Sequence, residues 1–303
     1  MKNTISINKR LKPFNFNLKI EGDKSLSIRW ALLASQALGK SSAKNILKSD
    51  DVISTLKCLG KLGVKSKIIG NRCVINGVGI NGYKYKKNII LDAGNSGTLG
   101  RLIIGLLIHS QHNIKIIGDK SLSKRDFSRV IKPLGKFGAK FISNKGKLPI
   151  IVKGTKNPKP INYIENRGSA QCKTSVMLAS LNTEGTSTIK AKKSRNHTEL
   201  LFKYLNLPIK VTKKKVYDLI KIEGKKKINS FNYKIPSDIS SGSFFIVLTA
   251  LSNNSKLTLR DVNINPSRVG VIKILKKMGV KIIFKNIRFY KGEKIADILV
   301  KSA

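Results

Sequence analysis

The residues with the most chemistry in this 303-residue chain lie in short clusters of Ser, Thr, Gly, Lys and Arg. The first is Gly22-Asp23-Lys24-Ser25-Leu26-Ser27-Ile28-Arg29, where a Lys and an Arg about one helical turn apart converge with several hydroxyls. The second, Leu91-Asp92-Ala93-Gly94-Asn95-Ser96-Gly97-Thr98, is followed by Arg101, and its glycines suit backbone that approaches a ligand closely. Then come Gly118-Asp119-Lys120-Ser121-Leu122-Ser123-Lys124-Arg125, Ser169-Ala170-Gln171-Cys172-Lys173, Ser194-Arg195-Asn196-His197-Thr198-Glu199 and Ser240-Ser241-Gly242-Ser243. Small hydroxyl residues at a helix start leave N–H groups and the positive end of the helix dipole facing outward, which suits an anion. One such cluster is no more than an N-cap. Several of them, joined by Lys and Arg, fit two phosphorylated or carboxylated substrates.

The elements that must position these residues form a repeat. Ser25, Ser96, Ser169 and Ser240 are separated by 71, 73 and 71 residues, and such near-constant spacing is the mark of a repeated unit. After each cluster, apolar residues at helical spacing (30–34, 102–107, 176–181 and 244–248) predict a helix. A β run follows at 43–47, 114–117, 186–191 and 256–260, then a second, amphipathic helix. Two alternating β runs close the unit, for example 66–69 with 73–75 and 210–212 with 219–222. Gly63, Gly138 and Gly279 suit the left-handed position that ends the second helix; in the third unit Asn206 and Pro208 take over that task. Ser194 is expected to cap the second helix there. The unit reads βαβαββ, an α/β (α+β) fold, and because one unit cannot cover its own apolar faces, neighbouring units must pack together.

Composition narrows the function classes. Sixty Lys+Arg against 16 Asp+Glu give a formal net charge of +44, yet 41% of residues are hydrophobic, which excludes a disordered basic tail. The lysines are scattered, with little aromatic interleaving for base stacking, so no specific nucleic-acid partner is expected. Lys, Asn and Ile are over-used together, and their A/T-rich codons account for the excess. Cys58, Cys73 and Cys172 are odd in number and far apart, which fits a reducing cytoplasm; His109, His112 and His197 lack metal-ligand spacing. The first ten residues lack the apolar stretch of a signal peptide, and no run approaches about 18 apolar residues, so no membrane partner is expected.

The clusters quoted above resemble the strings of the enolpyruvyl transferases, in family order from about residue 20 to 300, together with Asn265-Pro266-Ser267-Arg268. That resemblance implies an inside-out α/β barrel and transfer of the carboxyvinyl group of phosphoenolpyruvate to the 5-hydroxyl of shikimate 3-phosphate, releasing phosphate. It implies no cofactor, no metal and a monomeric full-length enzyme. By position, Lys24 would touch both substrates and is the one catalytic residue to be named. Ser25 and Arg29 would hold shikimate 3-phosphate, with Ser169, Ala170, Gln171 and Arg195 on its phosphate and ring. Gly97 and Arg125 would line the phosphoenolpyruvate pocket, beside Gln171, with Asn95, Thr98 and Arg101 in the same loop. Ile28, Asp126 and Asn196 depart from the family's His, Pro and Asp; Asp126 is expected to weaken the hold of Arg125 on an anion.

Family members carry six such units in two three-unit domains. The resemblance therefore implies a complete domain over 20–236 and a partial second one from 1–19 and 237–303. The family's proton-transfer acids fall in the two units beyond, so these residues alone are expected to be impaired, with Phe244, Phe245 and Val247 exposed. Three alternatives stay open: an enolpyruvyl transferase acting on UDP-N-acetylglucosamine, a basic polyanion-binding module, and an inactive ligand-binding remnant. If codon usage explains the lysines, binding to arbitrary duplex DNA is weak in filter-binding or anisotropy assays at about 0.15 M salt. A steep fall of affinity with salt would instead mark a built polyanion surface.

Overall fold

Four capping side chains start the four predicted helices: Asp23 accepts from Leu26 N at 2.9 Å, Ser96 from Leu99 N at 3.2 Å, Ser169 from Cys172 N at 3.3 Å and Asp238 from Ser240 N at 2.8 Å. Each satisfies a backbone donor that the first helical turn leaves unpaired. The computed structural model describes residues 11–303; residues 1–10, including the stretch read above for a leader and the start of the 1–19 segment, lie outside the described residues.

In chain order, β1 (Asn15–Leu18) precedes α1 (Lys24–Ser35), β2 (Leu38–Lys44), α2 (Asp50–Lys61), β3 (Lys65–Ile69) and β4 (Arg72–Val78). The second repeat is β5 (Ile90–Asp92), α3 (Gly97–Leu106), β6 (Ile114–Ile117), a short α4 (Lys120–Ser123), α5 (Ser128–Gly135), β7 (Lys140–Asn144) and β8 (Lys147–Lys153). The third is β9 (Asn162–Glu165), α6 (Ala170–Leu181), β10 (Thr186–Lys192), α7 (His197–Tyr204), β11 (Ile209–Lys213) and β12 (Tyr217–Glu223). The fourth is β13 (Asn232–Lys234), α8 (Ile239–Leu251), β14 (Lys256–Asn263), α9 (Gly270–Lys277), β15 (Ile282–Tyr290) and β16 (Glu293–Lys301). The mixed α/β order βαβαββ recurs through all of them.

Repeats two and three each close their own sheet, in the orders β5-β6-β8-β7 and β9-β10-β12-β11, with a parallel opening pair and antiparallel remainder. Repeats one and four exchange their opening strands. β13 pairs in parallel with β2, and β1 with β14, giving the sheets β13-β2-β4-β3 and β1-β14-β16-β15. The chain accordingly forms two compact units, Gly22–Ile235 with three sheets, and Pro236–Ala303 with the described residues 11–21 around the fourth.

The second helices end as their residue types require. Gly63, Gly138 and Gly279 take φ of 87°, 104° and 92°, and Asn206 takes 52°. Val64, Leu207 and Val280 donate back to Leu59, Phe202 and Leu275, the reverse bonds that close a left-handed helix terminus. One expectation is corrected: the strand placed at 43–47 is Leu38–Lys44, because Asn45 turns to φ 58° and its amide donates to Ile235 O at 2.9 Å.

α1, α3 and α6 are buried along almost their whole lengths, with Arg29, Arg101, Lys173, Thr174 and Ser175 buried beside their apolar residues. α3 and α6 approach so closely that a Cβ on Gly105 would lie 2.2 Å from Ser175 O. The equivalent α8 buries Ile239, Gly242, Ile246, Thr249 and Ala250, against a cluster that includes Leu257, Leu259 and Ile298. Phe244 and Leu251 remain 79% and 81% exposed, with Phe245 and Leu248 also exposed. Val247 is half-buried, a correction to its expected exposure, since it lies one helical turn before the buried Ala250. Among the described residues no helix is long and apolar enough to cross a membrane.

All three cysteines are free and buried, and burial pushes the Cys58 and Cys73 thiols up to about 12. Since burial disfavours the thiolate, both should resist a disulfide reagent at pH 8 until the protein unfolds; a fast stoichiometric reaction of either in the native state would contradict their placement. Gly105→Ala should cost about 1–3 kcal/mol, read as a lowered urea midpoint, and an unchanged midpoint would mean that α3 and α6 pack differently.

Candidate anion-binding site

The start of α3 gathers two guanidinium groups around a residue without a side chain. A Cβ on Gly97 would meet Arg101 Nη1 at 2.8 Å and Arg125 Nη1 at 3.0 Å. Arg101 Nη1 donates to Gly97 O at 3.2 Å and to Gln171 Oε1 at 2.9 Å, while Gln171 Nε2 donates to Thr98 Oγ1 at 3.0 Å. The first turns of α3 and α6 are thereby joined through polar side chains. Burial, and after it the like charges of Arg129 and Arg125, hold the Arg101 guanidinium below its ordinary value. Its carbon lies 4.9 Å from the centre of the Phe127 ring, which partly offsets that crowding. Cations held this close invite an anion.

The loop before α3 is held by local bonds. Gly94 adopts φ 55°, its N–H bonded at 2.8 Å to the Asp92 carboxylate, and Asn95 Nδ2 donates to Asp119 Oδ2 at 2.5 Å. Asp119 also caps α4, accepting from Leu122 N at 2.7 Å, so Asn95 ties the loop to the helix that leads into Arg125. Asp126, next in the chain, accepts from Ser128 N at 2.7 Å and lies 3.9 Å from Arg129 Nε. The Ser128 hydroxyl, and more weakly Arg129 and Arg167, keep its carboxyl below the usual carboxylate range. The Asp126 carboxylate is thus engaged by Ser128 and Arg129.

The residues nominated on α1 have two environments. Lys24, half-buried at the helix start, faces Asp51 in the first turn of α2, Nζ to Oδ2 3.4 Å. Arg29 is buried; it donates to Ser25 O at 3.1 Å, to Thr198 Oγ1 at 2.9 Å and to Thr174 Oγ1 at 3.5 Å, bridging α1 to α6 and α7. Ser169 caps α6, and its N–H bonds to the buried Glu165 at 2.9 Å, with Ala170 as the first helical residue. Arg195 is exposed in the loop that enters α7. Ser194 does not cap that helix. Asn196 occupies the capping position without a side-chain bond to it, and Ser194 Oγ is buried with no hydrogen-bond partner.

Gly97, Thr98, Arg101, Arg125 and Gln171 are thus brought into one cluster, and Ser25, Arg29, Thr174 and Thr198 into a second. Sequence reasoning missed Thr174, Glu165, Asp51 and the buried Lys173–Glu199 ion pair, whose Nζ and Oε1 are 2.6 Å apart. Lys173, Thr198 and Glu199 lie inside strings already singled out, but nothing in one sequence says which residue on another helix each will meet. Among the described residues, no group of three or more His, Cys, Asp or Glu gathers as a metal site.

Residues 9–303 match the family model described as EPSP synthase (3-phosphoshikimate 1-carboxyvinyltransferase). The chain belongs to the EPSP synthase family. A 3-phosphoshikimate 1-carboxyvinyltransferase of Ruthia magnifica is 43% identical over 286 residues, which cover 94% of this chain and 65% of that protein. One from Thermoanaerobacter sp. is 40% identical over 290 residues, covering 94% and 66%. The solved EPSP synthase from Acinetobacter baumannii superposes with a TM-score of 0.86 at 34% identity, over 96% of this chain and 66% of the other. The chain therefore spans about 65% of the length of the relatives it matches.

The Gly97 geometry of this family member is testable without any assumption about substrate. In Gly97→Ala the new methyl meets only the mobile ends of two arginines, so stability should stay within about 1 kcal/mol. The methyl would occupy the space between the guanidinium groups, and affinity for inorganic phosphate should fall about tenfold, some 1.4 kcal/mol, by calorimetry. Unchanged phosphate affinity in the folded variant would show that the anion does not sit at Gly97.

Proposed function

We propose that this chain carries the shikimate 3-phosphate half-site, and part of the phosphoenolpyruvate pocket, of a 3-phosphoshikimate 1-carboxyvinyltransferase. The observation that carries the reading is the cation-lined start of α3, where Gly97, lacking a side chain, lets the Arg101 and Arg125 guanidinium groups converge on it and Gln171 is held by Arg101 and Thr98. Family membership supports the choice of substrates.

In the reaction so assigned, the 5-hydroxyl of shikimate 3-phosphate adds to C2 of phosphoenolpyruvate while a proton reaches the methylene carbon. The hydroxyl gives up its proton in that addition; cleavage of the C2–O bond to phosphate and loss of a methyl proton then form the enol ether and release phosphate. Two phosphates and two carboxylates must be neutralised throughout, which is work for fixed cations and helix N-termini. Lys24, at the mouth of α1, serves both anions. Ser25 and Arg29 hold the phosphorylated acceptor from α1; Ser169, Ala170, Gln171 and Arg195 hold its phosphate and ring from α6 and the lead into α7. Arg125 and the Gly97 turn receive phosphoenolpyruvate. The pocket so made favours anionic substrates before any bond changes, and no residue of this chain is assigned the proton transfers.

Calorimetry distinguishes this reading from its rivals. Shikimate 3-phosphate should bind the 303-residue chain saturably, and Arg195→Ala should weaken it by about 1.5–3 kcal/mol, the worth of charge-assisted bonds. Saturable binding of UDP-N-acetylglucosamine with none of shikimate 3-phosphate would reverse the choice of acceptor.

A further inference from the structure

Beneath the proposed shikimate 3-phosphate site lies an ion pair that the mechanism does not use. Lys173 on α6 and Glu199 on α7 meet at 2.6 Å with side chains only 1% and 4% exposed. Apart from this contact, neither Lys173 Nζ nor either carboxylate oxygen has a hydrogen-bond partner among the described residues. Stability is a poor reason for such a pair, because taking both charges out of water costs about what their attraction returns, and here the remaining donors and acceptors are left unmade. Lys173 also sits in the first turns of α6, where the helix dipole disfavours a cation. Apolar side chains of equal size would fill the space at lower cost.

The pair does fix a register. Lys173 and Thr174 are consecutive on α6, Thr198 and Glu199 consecutive on α7, and Thr174 Oγ1 lies 2.7 Å from Thr198 Oγ1 beside the ion pair. These two rungs prevent α6 from sliding or turning against α7, and Arg29 Nε binds the inner rung at Thr198, 2.9 Å away. The residues just upstream on the two helices are Ser169, Ala170 and Gln171 on one and Arg195 on the other. A small rotation of α6 would break the bonds from Gln171 to Arg101 and Thr98, at 2.9 and 3.0 Å.

We infer that Lys173 and Glu199 are positioning residues that hold the start of α6 and the lead into α7 in one register, and so set the shape of the shikimate 3-phosphate site. The inference rests on the proposed function for its ligand but not for its geometry. The test is the double variant K173M/E199L, which removes both charges and keeps the volume. It should melt within a few degrees of the native chain, lose hydrogen-exchange protection at Cys172 and Leu200, whose amides bond to Ser169 and Asn196, and bind shikimate 3-phosphate about tenfold or more weakly. Native protection and native affinity in the folded double variant would overturn the inference. If the unmodified chain binds no shikimate 3-phosphate, the proposed function fails, and the exchange data still decide the role of the pair. Should the variant not fold, the native chain decides: the amides of Thr174 and Leu200 should exchange only with global unfolding, and fast local opening there would equally refute a fixed register.

Discussion

Three helices are buried on nearly every side, their Arg, Lys, Thr and Ser residues included, and the rest of the molecule follows from meeting that constraint. α1, α3 and α6 can be buried only against one another and beneath their sheets, which brings their backbones close enough that Gly105 has no room for a side chain beside Ser175. Contacts from Thr98 to Gln171 and from Arg101 to Ser175 run the same way along α3 and α6. The capped starts of α3 and α6 therefore meet at one end. Helix dipoles of like orientation side by side are unfavourable, and that cost is relieved wherever an anion neutralises the shared positive end.

The side chains at that end are organised by the same logic. Arg101 is desolvated, faces like charges, and is kept in place by Phe127, Gln171 and the Gly97 carbonyl. Carboxylates nearby are occupied elsewhere, Asp126 by Ser128 and Arg129, and Asp119 by Asn95 and the cap of α4. Lys24, by contrast, faces Asp51 at 3.4 Å, so a carboxylate there competes with the substrate for that cation. The +44 charge of the chain contributes a general attraction for anions, whereas selectivity has to come from these fixed groups.

α8 shows what the constraint looks like when it is not met. It holds the same place in its repeat as the buried helices, yet it presents Phe244 and Leu251 to water, and its sheet covers only the flank bearing Ile246. Exposed apolar area of this kind on one helix face is a liability in isolation and an interface in company.

From the sequence alone came much of what is governed by neighbours a few residues apart. Caps within the hydroxyl-rich clusters at Ser96 and Ser169, left-handed stops at Gly63, Gly138, Gly279 and Asn206, and the order of elements in each repeat follow from residue type and spacing, since the forces involved act within one or two turns. The tertiary structure alone decided which strand completes which sheet: β1 and β13 are short and locally unremarkable, and their exchange depends on partners some 190 to 240 residues away. It also decided that Arg29 turns inward to Thr198, that Ser194 is no cap, and that Lys173 meets Glu199. A side chain's type records what it can bond to, but the choice among distant partners is made by the packing that brings one of them within reach.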